Sequence, residues 1–220
     1  KIMSKSTVIQ LKFPKRTPAK AAIKAVTQPK GTTPKVGLAT LKRLMTRNPI
    51  DSPLILRKKK GGTADGRFDN RGSHKYRLRE NGSGKPHKGV DLKGKIGDDV
   101  YAVASGVVEY IRDTDPYVKG KKGGEFGKYV QIHHGDNLYS QYSHLSKISV
   151  KKGEKITFSD VNDQKKIGEV GKTGNVGGEA HLHLEIFTLD SKNGKWKDRH
   201  VYDPALIFQF AQEEKPTETN

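Results

Sequence analysis

The feature that most constrains the fold is a series of short segments after Tyr101 in which apolar and polar residues alternate. Examples are KYVQIHH, LYSQYSHL and HLHLEIF, which are separated by turn-forming glycine, asparagine and aspartate. Successive side chains of a strand point to opposite faces of a sheet, so this period of two is typical of strands. Residues after position 60 lack a long helical period. The sequence therefore predicts a mainly β domain.

The distribution of charge divides the chain. Residues 1–60 carry 16 of the 42 lysine and arginine side chains and, in Asp51, one of the 24 acidic ones, a net charge of +15 out of +18. They also hold six of the ten prolines and a single aromatic residue, Phe13, a composition that buries little core. We predict a mostly irregular basic arm or linker at 1–60, a folded domain at 61–212 and a frayed tail at 213–220. A solvated tether and an arm that binds an anionic surface both fit the basic segment.

Composition also narrows the classes of function. No apolar run approaches the roughly 20 residues of a membrane-spanning helix, so we expect no membrane span. The chain has no cysteine, which leaves histidine and carboxylate side chains as metal ligands. Binding of nucleic acid calls for basic residues interleaved with aromatic ones on the folded domain. Because the basic excess lies on a segment with one aromatic residue, we expect no nucleic acid partner.

Two histidines in the HLHLEI segment share one face of a predicted strand. His181 and His183 are two residues apart, so their side chains lie about 6.6 Å apart along the strand. Leu182 and Leu184 then point the other way, into a core. A pair of this kind is weak evidence by itself, since surface histidines often occur so.

Two further segments carry histidines with candidate roles. His87 and Asp91 lie four residues apart in PHKGVDL, where Gly89 argues against a helix. An imidazole and a carboxylate are a common ligand pair for zinc, and a third ligand from His183 would leave an open position, as in catalytic sites. His144, in QYSHLSKI, reads in isolation as a half-buried strand histidine.

These segments and their flanking glycines occur in an order that resembles the lysostaphin-type, or LytM-like, zinc metalloendopeptidases, which cut peptide bonds in bacterial peptidoglycan. FDNR at Phe68–Arg71 is similar to the segment that often opens that domain. The ordered motifs are HKGVD (His87–Asp91), GDDVYAVASGVV (Gly97–Val108), YSHL (Tyr142–Leu145), VKKGEKI (Val150–Ile156), IGEVGKTG (Ile167–Gly174) and HLHLE (His181–Glu185).

The resemblance implies an antiparallel β-sheet peptidase domain that holds one Zn²⁺ per chain through His87, Asp91 and His183. It implies that His144 and His181 are catalytic histidines around a zinc-bound water that acts as the nucleophile. All of these motif positions are present, which favours an active enzyme over the alternative, a non-catalytic module that binds peptidoglycan or activates a partner.

Two other residues are candidates for supporting roles. Glu185 shares the face of His181 and His183, so we expect it either to hydrogen-bond a ligand imidazole or to be an ordinary surface carboxylate. His134 is expected to be structural or to lie near the rim of the groove.

The resemblance also sets expectations for partners and location. We expect the chain to act outside the cytoplasm, as a monomer, on peptidoglycan peptides, with the basic arm attracted to anionic wall polymers. The bond that is cleaved stays open between glycine bridges, cross-links to a diamino acid and stem peptides.

Overall fold

The computed structural model describes residues 36–56, 77–78, 86–160, 162–189 and 199–212. The FDNR segment and the tail at 213–220 lie outside these residues. The described helices are α1 (Leu38–Leu44) and α2 (Pro204–Phe208), and the described strands are β1 (Leu54–Ile55), β2 (Arg77–Leu78), β3 (Pro86–His87), β4 (Val90–Lys93), β5 (Asp99–Tyr101), β6 (Gly106–Arg112), β7 (Lys128–His133), β8 (Leu138–Ile148), β9 (Lys155–Ile156), β10 (Lys166–Val170), β11 (His181–Thr188), β12 (His200–Tyr202) and β13 (Ala211–Gln212).

Within the described residues, eleven strands form one sheet. Its main path runs β13-β1-β4-β11-β8-β7-β6-β9, with β10 pairing with β5 and β8, and β12 with β11. The pairing of β1 with β13 is parallel, whereas the other pairs are antiparallel. Strands β2 and β3 form a separate two-stranded sheet. The prediction of a mainly antiparallel β fold is confirmed.

Strand β11 lies at the centre of the sheet, between β4 and β8. Its register pairs His183 with Asp91 on one side and with Ser143 on the other. Directly paired residues share a face, so these three side chains lie together on one side of the sheet. Leu182 and Leu184 point to the opposite side, where they are fully buried in the hydrophobic core. The alternation read from HLHLEI thus separates a polar face from a core face.

Part of the segment expected to be an irregular arm packs on this sheet. Leu41 and Met45 of the α1 region, Ile50 and Ile55 are buried in the main hydrophobic core. Strand β1 adds to the sheet edge by pairing with β4 through Ile55 and Leu92. Residues 36–56 therefore differ from the expected arm, because their apolar side chains, though widely spaced in sequence, all reach the same core.

The C-terminal part of the domain contains the short helix α2. Asp203 caps it by accepting a hydrogen bond from the backbone N–H of Ala205, and Pro204 occupies the first turn, where its missing N–H costs nothing. None of the helices among the described residues combines the length and the apolar character needed to cross a membrane.

Candidate metal centre and active site

Three buried side chains meet on the polar face of the sheet. The Oδ1 atom of Asp91 lies 2.8 Å from Nδ1 of His183 and 3.1 Å from Nε2 of His87. The same two nitrogens lie 3.2 Å from each other. Each of the three residues is at most 6% exposed. Three potential ligand atoms therefore converge on one point of the structure, as the sequence predicts for His87, Asp91 and His183.

The donor set fits zinc. The ligands of a tetrahedral zinc lie about 3.3–3.6 Å apart, since each is about 2.0–2.2 Å from the ion. The three separations here, 2.8, 3.1 and 3.2 Å, are shorter than that, so the side chains would move apart by a few tenths of an ångström to admit the ion. Hydrogen bonds alone account poorly for this cluster. Nε2 of His87 and Nδ1 of His183 face each other, and both also face the carboxylate of Asp91. Two imidazoles and one carboxylate form a site with room for a further ligand, as in catalytic zinc sites.

The charge of the cluster also suits a cation. Burial by itself raises the pKa of Asp91, but the surrounding imidazoles of His87, His181 and His183 hold that pKa well below its usual range. The carboxylate is therefore ionised at neutral pH and available as an anionic ligand.

A close backbone approach at Gly89 sets the position of His183. A Cβ atom at Gly89 would lie 2.4 Å from the carbonyl oxygen of Leu184 and 2.7 Å from the ring of His183. Only glycine allows the turn between β3 and β4 to pass so near β11. The turn in PHKGVDL thus brings His87 and Asp91 onto the His183 imidazole.

The second ring nitrogen of His183 is held by a buried ion pair. Nε2 lies 3.2 Å from Oε1 of Glu185, and Oε2 of Glu185 accepts hydrogen bonds from Nε and Nη2 of Arg199 at 3.1 and 2.8 Å. Burial alone lowers the pKa of His183, but Asp91 and Glu185 raise it to about 9. With Nε2–H donated to Glu185, Nδ1 faces the cluster, and its lone pair becomes available to a metal once the ring has lost its second proton. Of the two expectations for Glu185, the structure shows the contact with the ligand imidazole.

Arg199 carries no sequence signal that points to the site. It follows a polar segment and lies 14 residues after Glu185, so only the pairing of β11 with β12 brings the two together. Its side chain is 3% exposed. Burial raises the pKa of Glu185, but His183 and Arg199 together lower it.

His144 reaches the same face through a β-bulge. The pairing of β7 with β8 shifts register there: Lys128 pairs with Leu145 and Tyr129 with Ser143, so His144 is an extra residue. Its φ of 66° lies in the left-handed region. By simple alternation His144 would share the core face of Tyr142, and the bulge turns it instead toward His181 and His183. The ring centroid of His144 is 5.0 Å from that of His181 and 5.8 Å from that of His183.

The two histidines beside the ligands have matching hydrogen bonds. Nδ1–H of His144 donates to the carbonyl of Thr173 at 2.8 Å, and Nδ1–H of His181 donates to the carbonyl of Glu179 at 2.9 Å. A carbonyl accepts only, so each ring carries a proton on Nδ1, and in the neutral ring the lone pair is then on Nε2. Nε2 of His181 lies 3.6 Å from Asp91 Oδ1. Burial lowers the pKa of His144 to about 3, so its ring is neutral.

His134 lies on the other side of the sheet. Its Nδ1 is 2.8 Å from the carbonyl of Ser105 and its Nε2 is 2.8 Å from Oγ of Ser140. Ser140 in turn contacts the hydroxyl of Tyr142, which accepts the N–H of Val103. Burial lowers the pKa of His134 to about 4. The structure thus places His134 in a polar network beneath the sheet and not with the metal cluster.

Comparison with known proteins identifies one family. Residues 85–216 match the model of peptidase family M23, in agreement with the resemblance drawn from the motifs. The peptidoglycan DD-endopeptidase ShyA of Vibrio cholerae is 36% identical over 147 residues, 67% of this chain and 28% of that protein. The DD-carboxypeptidase/endopeptidase Mpg of Neisseria meningitidis is 36% identical over 99 residues, 45% of this chain and 19% of that protein.

One solved structure is similar over part of the chain. Lysostaphin, the antimicrobial peptidase of Staphylococcus simulans, is 24% identical, with a TM-score of 0.46 over 68% of this chain and 54% of that one. The present chain spans less than a third of the length of the two curated relatives named above.

Proposed function

The chain belongs to peptidase family M23, and from that membership we propose that it is a zinc-dependent endopeptidase of bacterial peptidoglycan. The substrate would be peptide cross-links or stem peptides. ShyA is named as a peptidoglycan DD-endopeptidase, which favours cross-links of that kind. The proposal is supported above all by the convergence of His87, Asp91 and His183 in a buried trio beside the imidazoles of His144 and His181.

The trio would hold the metal, and the chain supplies the rest of the machinery. Zinc in such a site lowers the pKa of water and polarises a carbonyl group. Asp91 would bring the negative charge, while Glu185 and Arg199 hold the ring of His183 so that its Nδ1 faces the other two candidate ligand atoms.

His144 and His181 are suited to proton transfer. Each has its lone pair on Nε2, because Nδ1–H is already donated to a backbone carbonyl. Each can therefore accept a hydrogen bond from the attacking water, and an imidazole that takes up a proton can donate a hydrogen bond to the oxyanion. Because the pKa of His144 is about 3, we assign the proton to His181. A proton on Nε2 of His181 stays beside the Asp91 carboxylate, 3.6 Å away, which stabilises the imidazolium. No glutamate base is required.

The rest of the chain fits action at a cell wall. We propose that the enzyme works outside the cytoplasm, where peptidoglycan lies, and that it is a monomer. The basic segment at 1–60, with its net charge of +15, would attract anionic wall polymers in a salt-sensitive way. Residues 36–56 also belong to the folded core, so this attraction is best tested by neutralising lysines before residue 36.

A digestion experiment tests the function. Purified peptidoglycan is incubated with the zinc-loaded protein, with the chelated protein and with the variants His181→Ala and His133→Ala, and the products are identified by mass spectrometry. We expect new amino and carboxyl termini at one peptide bond, lost with chelation and with His181→Ala. His133 stacks on Tyr139, so its variant serves as the histidine control. Binding to the wall without new termini would instead indicate the non-catalytic module.

A further inference from the structure

The β-bulge that directs His144 is closed by a side chain from another loop. Thr173 lies in the turn that follows β10, and its hydroxyl sits between the edges of β7 and β8. It accepts the N–H of Lys128 at 3.0 Å and donates to the carbonyl of Leu145 at 2.8 Å. Lys128 and Leu145 are the pair at which the register shifts. The hydroxyl therefore takes the place of a ladder hydrogen bond at the point where the extra residue is inserted.

The same residue also orients the ring of His144. The carbonyl of Thr173 accepts the Nδ1–H of His144 at 2.8 Å. The hydroxyl group thus holds the backbone of the bulge, and the carbonyl group holds the imidazole that the bulge presents. A left-handed conformation at a histidine is strained and persists only when its surroundings enforce it. Thr173 stabilises this conformation of His144 through its three hydrogen bonds.

Glycines on either side allow Thr173 to come so close. A Cβ at Gly171 would lie 2.3 Å from the N atom of Ser146 and 2.7 Å from the carbonyl oxygen of His144. Gly174 has a φ of +79°, and a Cβ there would lie 2.4 Å from backbone atoms of the loop before β7. The turn is therefore pressed against β8 on one side and the start of β7 on the other, with Thr173 between them.

We propose that Thr173 is a positioning residue for His144: its hydroxyl keeps the bulge open and its carbonyl fixes the direction and tautomer of the imidazole. The consequence for catalysis rests on the proposed function, whereas the effect on the His144 ring does not. Serine keeps the hydroxyl, valine keeps the shape without it, and alanine removes both the hydroxyl and the bulk.

The test compares Thr173→Val and Thr173→Ser with the wild type, and uses Thr157→Val, an exposed threonine, as the matched control. The primary measurement is ¹⁵N NMR of histidine-labelled, zinc-loaded protein, with the His144 signals assigned from the variant His144→Gln. In the wild type, Thr173→Ser and Thr157→Val we expect the Nδ1–H tautomer with a slowly exchanging ring proton. In Thr173→Val we expect this slowly exchanging proton to be lost, while zinc content stays at the wild-type value.

Kinetics on peptidoglycan fragments give the second measurement. We expect Thr173→Val to lower kcat at least tenfold, with KM changed less than twofold, and Thr173→Ser to restore it, because a general acid or base contributes on the order of 10²–10⁴ to the rate. Retention of the His144 ring signal in Thr173→Val would overturn the inference. Should that variant not fold, Thr173→Ala replaces it without added bulk at the site. If no protein cleaves the fragments, the proposed function fails, and the NMR comparison still decides the role of Thr173.

Discussion

Replacing Arg199 by methionine removes one half of a buried ion pair that supports the candidate metal site. The partner, Glu185, is fully buried, and its Oε2 receives two hydrogen bonds from the guanidinium at 2.8 and 3.1 Å. Methionine keeps a long apolar stem beside Phe187, over which the guanidinium now lies. The change therefore isolates the loss of charge and hydrogen bonds from the loss of packing.

The expected loss of stability follows from the carboxylate of Glu185, which stays buried without its charged partner. Removing one partner of a buried pair costs about 3–5 kcal/mol of stability, and we expect Arg199→Met to fall in that range. Glu185 also holds Nε2 of His183 at 3.2 Å, so a displaced carboxylate weakens the orientation of a ligand. Loss of such a supporting contact lowers metal affinity about 10–100-fold.

The effect on stability should depend on pH with a defined sign. The pKa of Glu185 is lowered in the folded protein from its ordinary value of 4.5. A depressed pKa adds stability above the unfolded value, and this contribution is lost as the pH falls through the folded value. Without Arg199, His183 alone opposes the effect of burial, so the pKa of Glu185 is higher in the variant than in the wild type. The stability difference between wild type and variant is therefore largest near neutral pH and narrows on acidification.

Urea unfolding followed by circular dichroism, and competition for zinc against a chelator, measure the two effects. Arg43→Met, at an exposed arginine of α1, is the matched control and should change stability by less than about 0.5 kcal/mol. The reasoning is refuted if Arg199→Met matches this control in both stability and zinc affinity, or if the stability difference grows as the pH is lowered.

Three further predictions concern the site and its surroundings. Asp91 and Glu185 raise the pKa of His183 to about 9. Zinc binding at neutral pH should therefore release a proton from Nδ1, and zinc affinity should rise about tenfold per pH unit up to pH 9. Calorimetry in buffers of different ionisation enthalpy measures the released proton, and no proton release at pH 7 would contradict the prediction. Gly89→Ala would push a Cβ into Leu184 and the His183 ring, so zinc affinity should fall at least tenfold and stability by about 1–3 kcal/mol, unlike Gly37→Ala, where the new Cβ meets open space. His134→Ala should lower stability by about 1–3 kcal/mol, because it removes the hydrogen-bond partner of the buried Ser140 hydroxyl, and it should leave the zinc content unchanged. Loss of zinc in this variant would instead show that His134 contributes to metal binding.

The parts of the site that could be predicted are those that lie close together in sequence. Strand alternation places His181 and His183 on one face and Leu182 in the core, as the structure shows. The spacing of His87 and Asp91 around Gly89 gives a turn that carries two candidate ligands. In each case the local geometry of a few residues decides where the side chains point.

The parts that strand alternation and residue spacing alone could not predict depend on contacts between distant segments. The family resemblance gives His144 its expected role, but not the route by which its side chain reaches the site. His144 reaches the site only because of a bulge, which reverses the alternation that YSHL would follow as a regular strand. Thr173 and Arg199 act through loops and pairings that only the folded sheet brings together. The packing of Ile55 against β4 likewise requires a pairing between residues 37 positions apart.

The central claim is that His87, Asp91 and His183 hold one zinc ion, and elemental analysis of the purified protein tests it most directly. The wild type and the control His133→Ala, both exposed to zinc and then freed of unbound metal, should contain about one zinc per chain, and His183→Ala should contain almost none. Equal zinc in all three proteins, or none in the wild type, would contradict the account.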